Sequence, residues 1–238
     1  MKALRVVLAA SCLRTPLLAQ TPAPKTQFTA DLGAISASGN TRLRTLSLGD
    51  KITHTNGKWV LNQLAAYVYG STNSLVSANQ LRGLLRADYL LHPRLSVFSS
   101  GSYERNRFAG FSHRTDQALG LSWKALLLPW DTLVVDGGGV LTQQQNVDGT
   151  SKNFPAGRLA AAEKHAFSKS SYFLQLAEYI PDLQSTGEYR FNSESSVVAP
   201  LSSHVGIKVG YVIRYNSAPP TGFGPTDRVL TSGIQVSF

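Results

Sequence analysis

The chain has one cysteine and one methionine in 238 residues, and the cysteine, Cys12, stands in an N-terminal stretch with the marks of an export signal. Once that stretch is removed no thiol remains, which excludes a disulfide framework and cysteine chemistry. No run of about 18 apolar residues occurs, which excludes a transmembrane helix. Charge is sparse, at 16% of residues, where soluble domains carry roughly 25%. None of the histidines His54, His92, His113, His165 and His204 stands at zinc-ligand spacing from another. There is no G-x-S-x-G nucleophile elbow. Gly137-Gly138-Gly139 lacks the Lys-Ser/Thr of a phosphate loop and reads as a close-packing or bending point inside a strand. No catalytic residue, cofactor or metal site is assigned, and the chain is read as a non-enzyme.

What is present begins with residues 1–19. Lys2 and Arg5 precede an apolar core, Val6 to Leu13, and Leu17-Leu18-Ala19 follows, the pattern of a cleaved secretory signal. Residues 20–26 form a short Pro-rich spacer, and 27–238 form one domain. Removing Lys2, Arg5 and Arg14 from 23 basic residues leaves 20 against 14 acidic ones, a balance of +6. The basic residues are scattered, which argues against nucleic acid; the surplus is either a general solvated surface or an attraction for anionic lipopolysaccharide or anionic solutes.

Period-two alternation dominates the domain. In Val205 to Tyr215, Val205, Ile207, Val209, Tyr211, Ile213 and Tyr215 share one face, while Lys208 and Arg214 fall on the other. A soluble core would desolvate those two charges, whereas a wet lumen hydrates them. The last segment alternates likewise, with Leu230, Ile234, Val236 and the C-terminal Phe238 on one face. Similar segments near 27–38, 41–54, 58–70, 80–91, 95–105, 115–128, 132–144, 156–166, 171–181, 187–199, 204–216 and 227–238 predict twelve strands. Alternation does not fix a facing near 41–54, 117–121 and 156–180.

Connections alternate in length. Asn56-Gly57 predicts a type I′ turn, and Gly70 to Asn79 a long loop. Leu91 to Arg94 and Pro129 to Asp131 are short, whereas Asn106 to Arg114, Gln145 to Pro155 and Ser217 to Thr226 are long. The hairpin at Ser38 to Thr41 is short against that parity. Unpaired backbone is not tolerated in hydrocarbon, so an exported spanning sheet must close. The expectation is an all-β, single closed antiparallel transmembrane β-barrel of about twelve strands in the bacterial outer membrane, with short periplasmic turns and longer extracellular loops. Trp59, Trp123, Trp130, Tyr89, Tyr189, Tyr211, Tyr215 and Phe238 fall near predicted strand ends, where aromatic girdles belong.

Several stretches, in order, resemble one family. They are Ser38-Gly39-Asn40-Thr41, Tyr103 to Gly110 with His113-Arg114-Thr115, and Tyr179-Ile180-Pro181-Asp182-Leu183. Arg214-Tyr215-Asn216-Ser217 with Pro219-Pro220, Thr226-Asp227 and Val236-Ser237-Phe238 complete the set. The chain resembles the domain of unknown function 481 family, whose members carry the label salt-induced outer-membrane protein. That resemblance implies a barrel and an outer-membrane location, and no activity.

Two groups of side chains are candidate sites. Lys51, Arg82, Arg86, Asp88, Lys124, Asp136, Arg190, Glu194, Lys208 and Arg214 fall on the predicted lumen face, either lining an anion-preferring pore or pairing into a plug. Glu104, Arg105, Arg107, His113 and Arg114 cluster at the end of a predicted strand and in the external loop that follows it, either as an anion, sugar or lipopolysaccharide-phosphate contact or as a charged rim. The expected function is a narrow, weakly anion-preferring pore or a structural envelope component. The alternatives are an outer-membrane lipid-modifying enzyme and a soluble periplasmic β-sandwich binding protein. Expected partners are outer-membrane lipid, lipopolysaccharide and the barrel-assembly machinery, which would engage the terminal strand ending in Phe238.

Overall fold

The structure is a computed structural model that describes residues 24–37 and 43–238. The leader, Cys12 and the Ser38–Thr41 hairpin lie outside the described residues. Twelve strands follow one another: β1 (Lys25–Ala37), β2 (Leu43–Asn56), β3 (Trp59–Thr72), β4 (Leu75–His92), β5 (Leu95–Asn106), β6 (Phe111–Leu127), β7 (Asp131–Asn146), β8 (Ser151–Ala166), β9 (Tyr172–Pro181), β10 (Tyr189–Pro200), β11 (Val205–Asn216) and β12 (Thr226–Ser237). Each pairs antiparallel with its sequence neighbours, and β1 pairs with β12, so the sheet is a closed barrel. Closure leaves no free edge of the kind that invites aggregation.

The alternation decides what faces out. Leu32, Leu48, Leu85, Leu119, Leu141, Leu159, Val209 and Leu230 are exposed on the outer wall, Leu230 at 60%. A largely apolar exterior of this kind is unsuited to water. Aromatic rings bound it at both ends. On the rim that carries Lys25 and Phe238, Trp59 packs edge-on against Tyr89 (5.0 Å), and Phe238 stacks on His204 (5.6 Å). Near the opposite, far rim, Tyr179, Tyr189 and Tyr215 form a row with centroids 5.3 and 5.5 Å apart. Some outward polar groups satisfy one another, as where Gln175 binds the hydroxyls of Ser193 (3.0 Å) and Ser195 (2.5 Å). Asp50 does not. It faces out between Leu48 and Ile52, opposite Ala30 and Ala65, in a shallow hollow of about 440 Å³.

The connections differ in detail from the reading above. Only Gly57 has a positive φ (57°) in the β2–β3 turn, so the type I′ turn, which needs two such residues, does not form there. Asn73 (50°) and Ser74 (68°) supply that pair instead, in a two-residue turn where Gly70 to Asn79 was expected to loop. The stretches 106–114 and 145–155 are likewise largely strand. Strands β4 and β6 reach 18 and 17 residues, well beyond the ~9–11 that cross a bilayer. Among the described residues the far rim is therefore built mainly from projecting hairpins, with longer loops only at 182–188 and 217–225. In the β7–β8 turn of the far rim, Asp148 accepts from the hydroxyl and the N–H of Thr150, which holds its carboxyl below the usual range.

The interior is uneven. On the β5–β9 side Phe98, Ala118, Val140, Ala156 and Ile180 are buried as a cluster, with Phe154 against them. Inward-facing Gly120 and Gly138 sit opposite each other, where a Cβ on Gly120 would stand 2.8 Å from Gly138 Cα and 2.9 Å from Phe98 Cε1. Gly137 and Gly139 point outward into open space, so only the middle glycine of the triplet is required by packing. The seam is short. β1 and β12 pair from Thr29↔Ser237 to Leu32↔Ile234, extended by reciprocal 2.9 Å bonds between Phe28 and Phe238.

Candidate functional site: a charged lumen

Directly paired residues share a face, so the register sorts every candidate. Lys51, Arg82, Arg86, Asp88, Asp136, Arg190, Glu194, Lys208 and Arg214 lie on the inward face. Lys124 has the same parity at the terminal rim, where its ammonium reaches the Pro93 carbonyl (3.5 Å). The second group separates. Glu104 and Arg114 are paired strand residues facing inward, not loop residues. Arg105 pairs with outward Leu81, Arg107 opens a 3₁₀ turn, and His113 lies 6.5 Å from the Tyr103 ring outside. They form no single site because strand pairing at the far rim alternates their directions.

Three clusters occupy the lumen at successive heights. At mid-height Asp136 accepts from Arg86 Nη1 (2.5 Å) and Arg158 Nη1 (3.0 Å). Arg86 also grips Asp88 (2.7 and 2.9 Å), and Arg158 donates to Glu178 (2.7 Å). The Arg86 guanidinium lies 4.1 Å from the Phe98 ring centre. This network joins β4, β7, β8 and β9 across the packed half. Towards the terminal rim, Asp31 accepts from Lys208 (2.6 Å) and Gln235 (2.8 Å), and Gln235 in turn accepts from Tyr172 (2.5 Å).

Towards the far rim, Arg190 holds Asp116 through both terminal nitrogens (3.0 and 3.1 Å) and donates to Thr142 (2.9 Å). Arg114 donates to Gln144 (2.8 Å), lies 3.9 Å from Glu104 and packs 4.0 Å over the Phe111 ring. Above them the β11–β12 loop reaches across the mouth to the β5–β6 turn. Gly110 has φ 87°, and a Cβ there would stand 2.8 Å from both Phe223 and Pro220. Glycine thus permits the loop to rest on the opposite wall.

Not every charge is paired. Among the described residues Lys51, Arg82 and Arg214 make no hydrogen bond or ion pair, nor do Glu194 and Asp227. Lys51 keeps an exposed side chain inside the barrel, which marks water-accessible space on the β1–β4 side. Asp116, Arg158 and Glu178 were not among the sequence candidates. Arg158 and Glu178 lie where alternation fixes no facing, and Asp116 adjoins such a stretch. Among the described residues no three His, Cys, Asp or Glu side chains converge as metal ligands would.

The uncharacterized protein YdiY of Escherichia coli (strain K12) is 25% identical over 210 residues, covering 87% of this chain and 81% of that protein. Among solved structures, the NanC porin has a TM-score of 0.49 at 9% identity, covering 88% of this chain and 97% of that one. The translocator domain of autotransporter NalP from Neisseria meningitidis also scores 0.49, at 13% identity, with 90% and 87% covered. The model of the family described as protein of unknown function DUF481 matches residues 30–238, and the chain belongs to that family.

Proposed function

We propose that the chain is an outer-membrane pore, narrow and weakly anion-preferring, exported by its N-terminal signal. The apolar outer wall between two aromatic belts supports the membrane placement. It also gives lipid and lipopolysaccharide a surface to meet, with the terminal strand and exposed Phe238 offered to the assembly machinery. The observation that carries the pore is the sign of the unpaired lumen charges. The packed half neutralises itself through Arg86, Asp136, Arg158 and Glu178, while the open half keeps Lys51, Arg82 and Arg214 free against Glu194 and Asp227. Uncompensated cations along a water-filled wall favour anions.

A structural barrel is the second reading, favoured by the ion pairs across the lumen and by the loop over the far mouth. Planar-bilayer recording decides between them. The pore reading expects discrete conductance steps whose reversal potential in a salt gradient shifts towards cation preference in Arg82→Glu. Membranes that stay silent with protein demonstrably inserted establish the structural reading instead.

A further inference from the structure

A cavity of about 40 Å³ lies inside the far mouth, walled by Arg114, Arg190, Arg214, Asn192, Glu104 and Asp227 and closed by Pro219, Gly224 and Pro225 of the β11–β12 loop. A single water needs roughly 10–15 Å³ on this measure, so the space suits about three waters or one small polyatomic ion.

The guanidinium groups around it are unevenly satisfied. Arg190 spends both terminal nitrogens on Asp116 and Thr142, leaving its Nε buried and without a partner. Arg214 is more exposed to this deficit. Its Nε is also buried without a partner, and it closes no ion pair with its cross-strand neighbour Asp227. Arg114 uses Nε on Gln144 and only a 3.9 Å approach to Glu104. A buried donor left unmade is costly, and a buried charge more so, so each calls for a partner. Three forks, each with unused donors and converging on one space, match the planar or tetrahedral oxygens of an oxyanion. Glu104 and Asp227 in the same wall limit the net charge the site takes, which favours one small anion over a polyanion.

We propose that this cavity binds a small oxyanion, a carboxylate or a phosphate-sized group, with Arg214 as its principal ligand, Arg190 and Arg114 as flanking donors, and the β11–β12 loop as its roof. The site deepens the pore reading and rests on it for the ligand's route, since the charged residues that wall the cavity face the lumen and not the lipid. The mouth would then hold its anion between the roof and the three arginines before releasing it to the cations below.

The test is titration calorimetry on the full chain refolded in detergent, at constant ionic strength, with sodium phosphate and sodium acetate as probes and sodium chloride as control. Saturable heat with phosphate, acetate or both, absent with chloride, supports the site and identifies the oxyanion class. Arg214→Gln should weaken it at least about tenfold, with Arg214→Lys intermediate. Phe223→Ala, which leaves every arginine in place but frees the roof, should also weaken binding, and heat-modifiable migration on a gel confirms that each variant is folded. No saturable heat in the native protein up to ~10 mM probe overturns the proposal, as does Arg214→Gln binding as tightly as the native protein. Saturable binding in a protein that never conducts overturns the pore alone, and conduction without binding overturns this site alone.

Discussion

Replacing Asp136 with Asn removes the carboxylate shared by two guanidinium groups without changing side-chain size. Removing one partner of a buried pair costs about 3–5 kcal/mol when the other is stranded. Neither arginine is stranded here, because Arg86 keeps Asp88 at 2.7 and 2.9 Å and Arg158 keeps Glu178 at 2.7 Å. The loss is then set by the charge-assisted bonds from Arg86 and Arg158, at about 1.5–3 kcal/mol for bonds to charged groups. With the Asp136 side chain only 9% exposed, solvent replaces little of it, and a loss of roughly 2–3 kcal/mol is expected. The double variant Asp88→Asn/Asp136→Asn leaves Arg86 with no carboxylate, so its loss should exceed the sum of the singles by about 1–2 kcal/mol. Urea unfolding in phospholipid vesicles measures all three. Trp59, Trp123 and Trp130, exposed on the outer wall or terminal rim, report departure from lipid by fluorescence. A loss below about 0.5 kcal/mol for Asp136→Asn, or strict additivity, would refute the claim that the mid-lumen network ties β4, β7, β8 and β9 together across the packed half.

Three further outcomes follow from separate features. Gly138→Ala should destabilise the barrel by about 1–3 kcal/mol through overpacking, whereas Gly137→Ala, pointing into open space, should be near neutral in the same unfolding assay. Asp50→Leu should raise stability in vesicles by about 1 kcal/mol, because a carboxylate in hydrocarbon without a partner is unfavourable, and a fall would show that Asp50 is held by something in the membrane. Phe223→Ala should raise single-channel conductance by releasing the loop from Gly110, and unchanged steps would show that this loop does not limit the mouth.

The barrel itself was legible because alternation is a local signal. All twelve predicted segments overlap observed strands, and inward Lys208 with outward Tyr211 could be read from period two alone. Loop lengths were less legible. Turn residues such as Asn73-Ser74 carry the signal, but Ser, Thr, Asn and Gln in 70–79 and 145–155 suit a projecting strand as well as a loop. The lumen network was half visible. Arg86 and Asp136 fall on clean alternation, while Arg158 lies in a stretch of Ala and Gly where both faces look alike. The convergence of Arg114, Arg190 and Arg214 was not visible, since Arg190 and Arg214 share the paired strands β10 and β11 but Arg114 comes from β6 and meets them only through closure.

That closure has a mechanical consequence. A hoop parts at its weakest joint, and here one joint differs from its neighbours: β11 and β12 are in register from Val205↔Val236 to Tyr215↔Thr226, but among the described residues β12 is in register with β1 from Ser237 to Ile234, with the Phe28–Phe238 bonds beyond. Tension around the wall, whether from lateral pressure in a bilayer or from thermal motion, concentrates on those few bonds. The first strand and the last are therefore where the ring yields first, and their amides should exchange with solvent ahead of the other pairings in the wall.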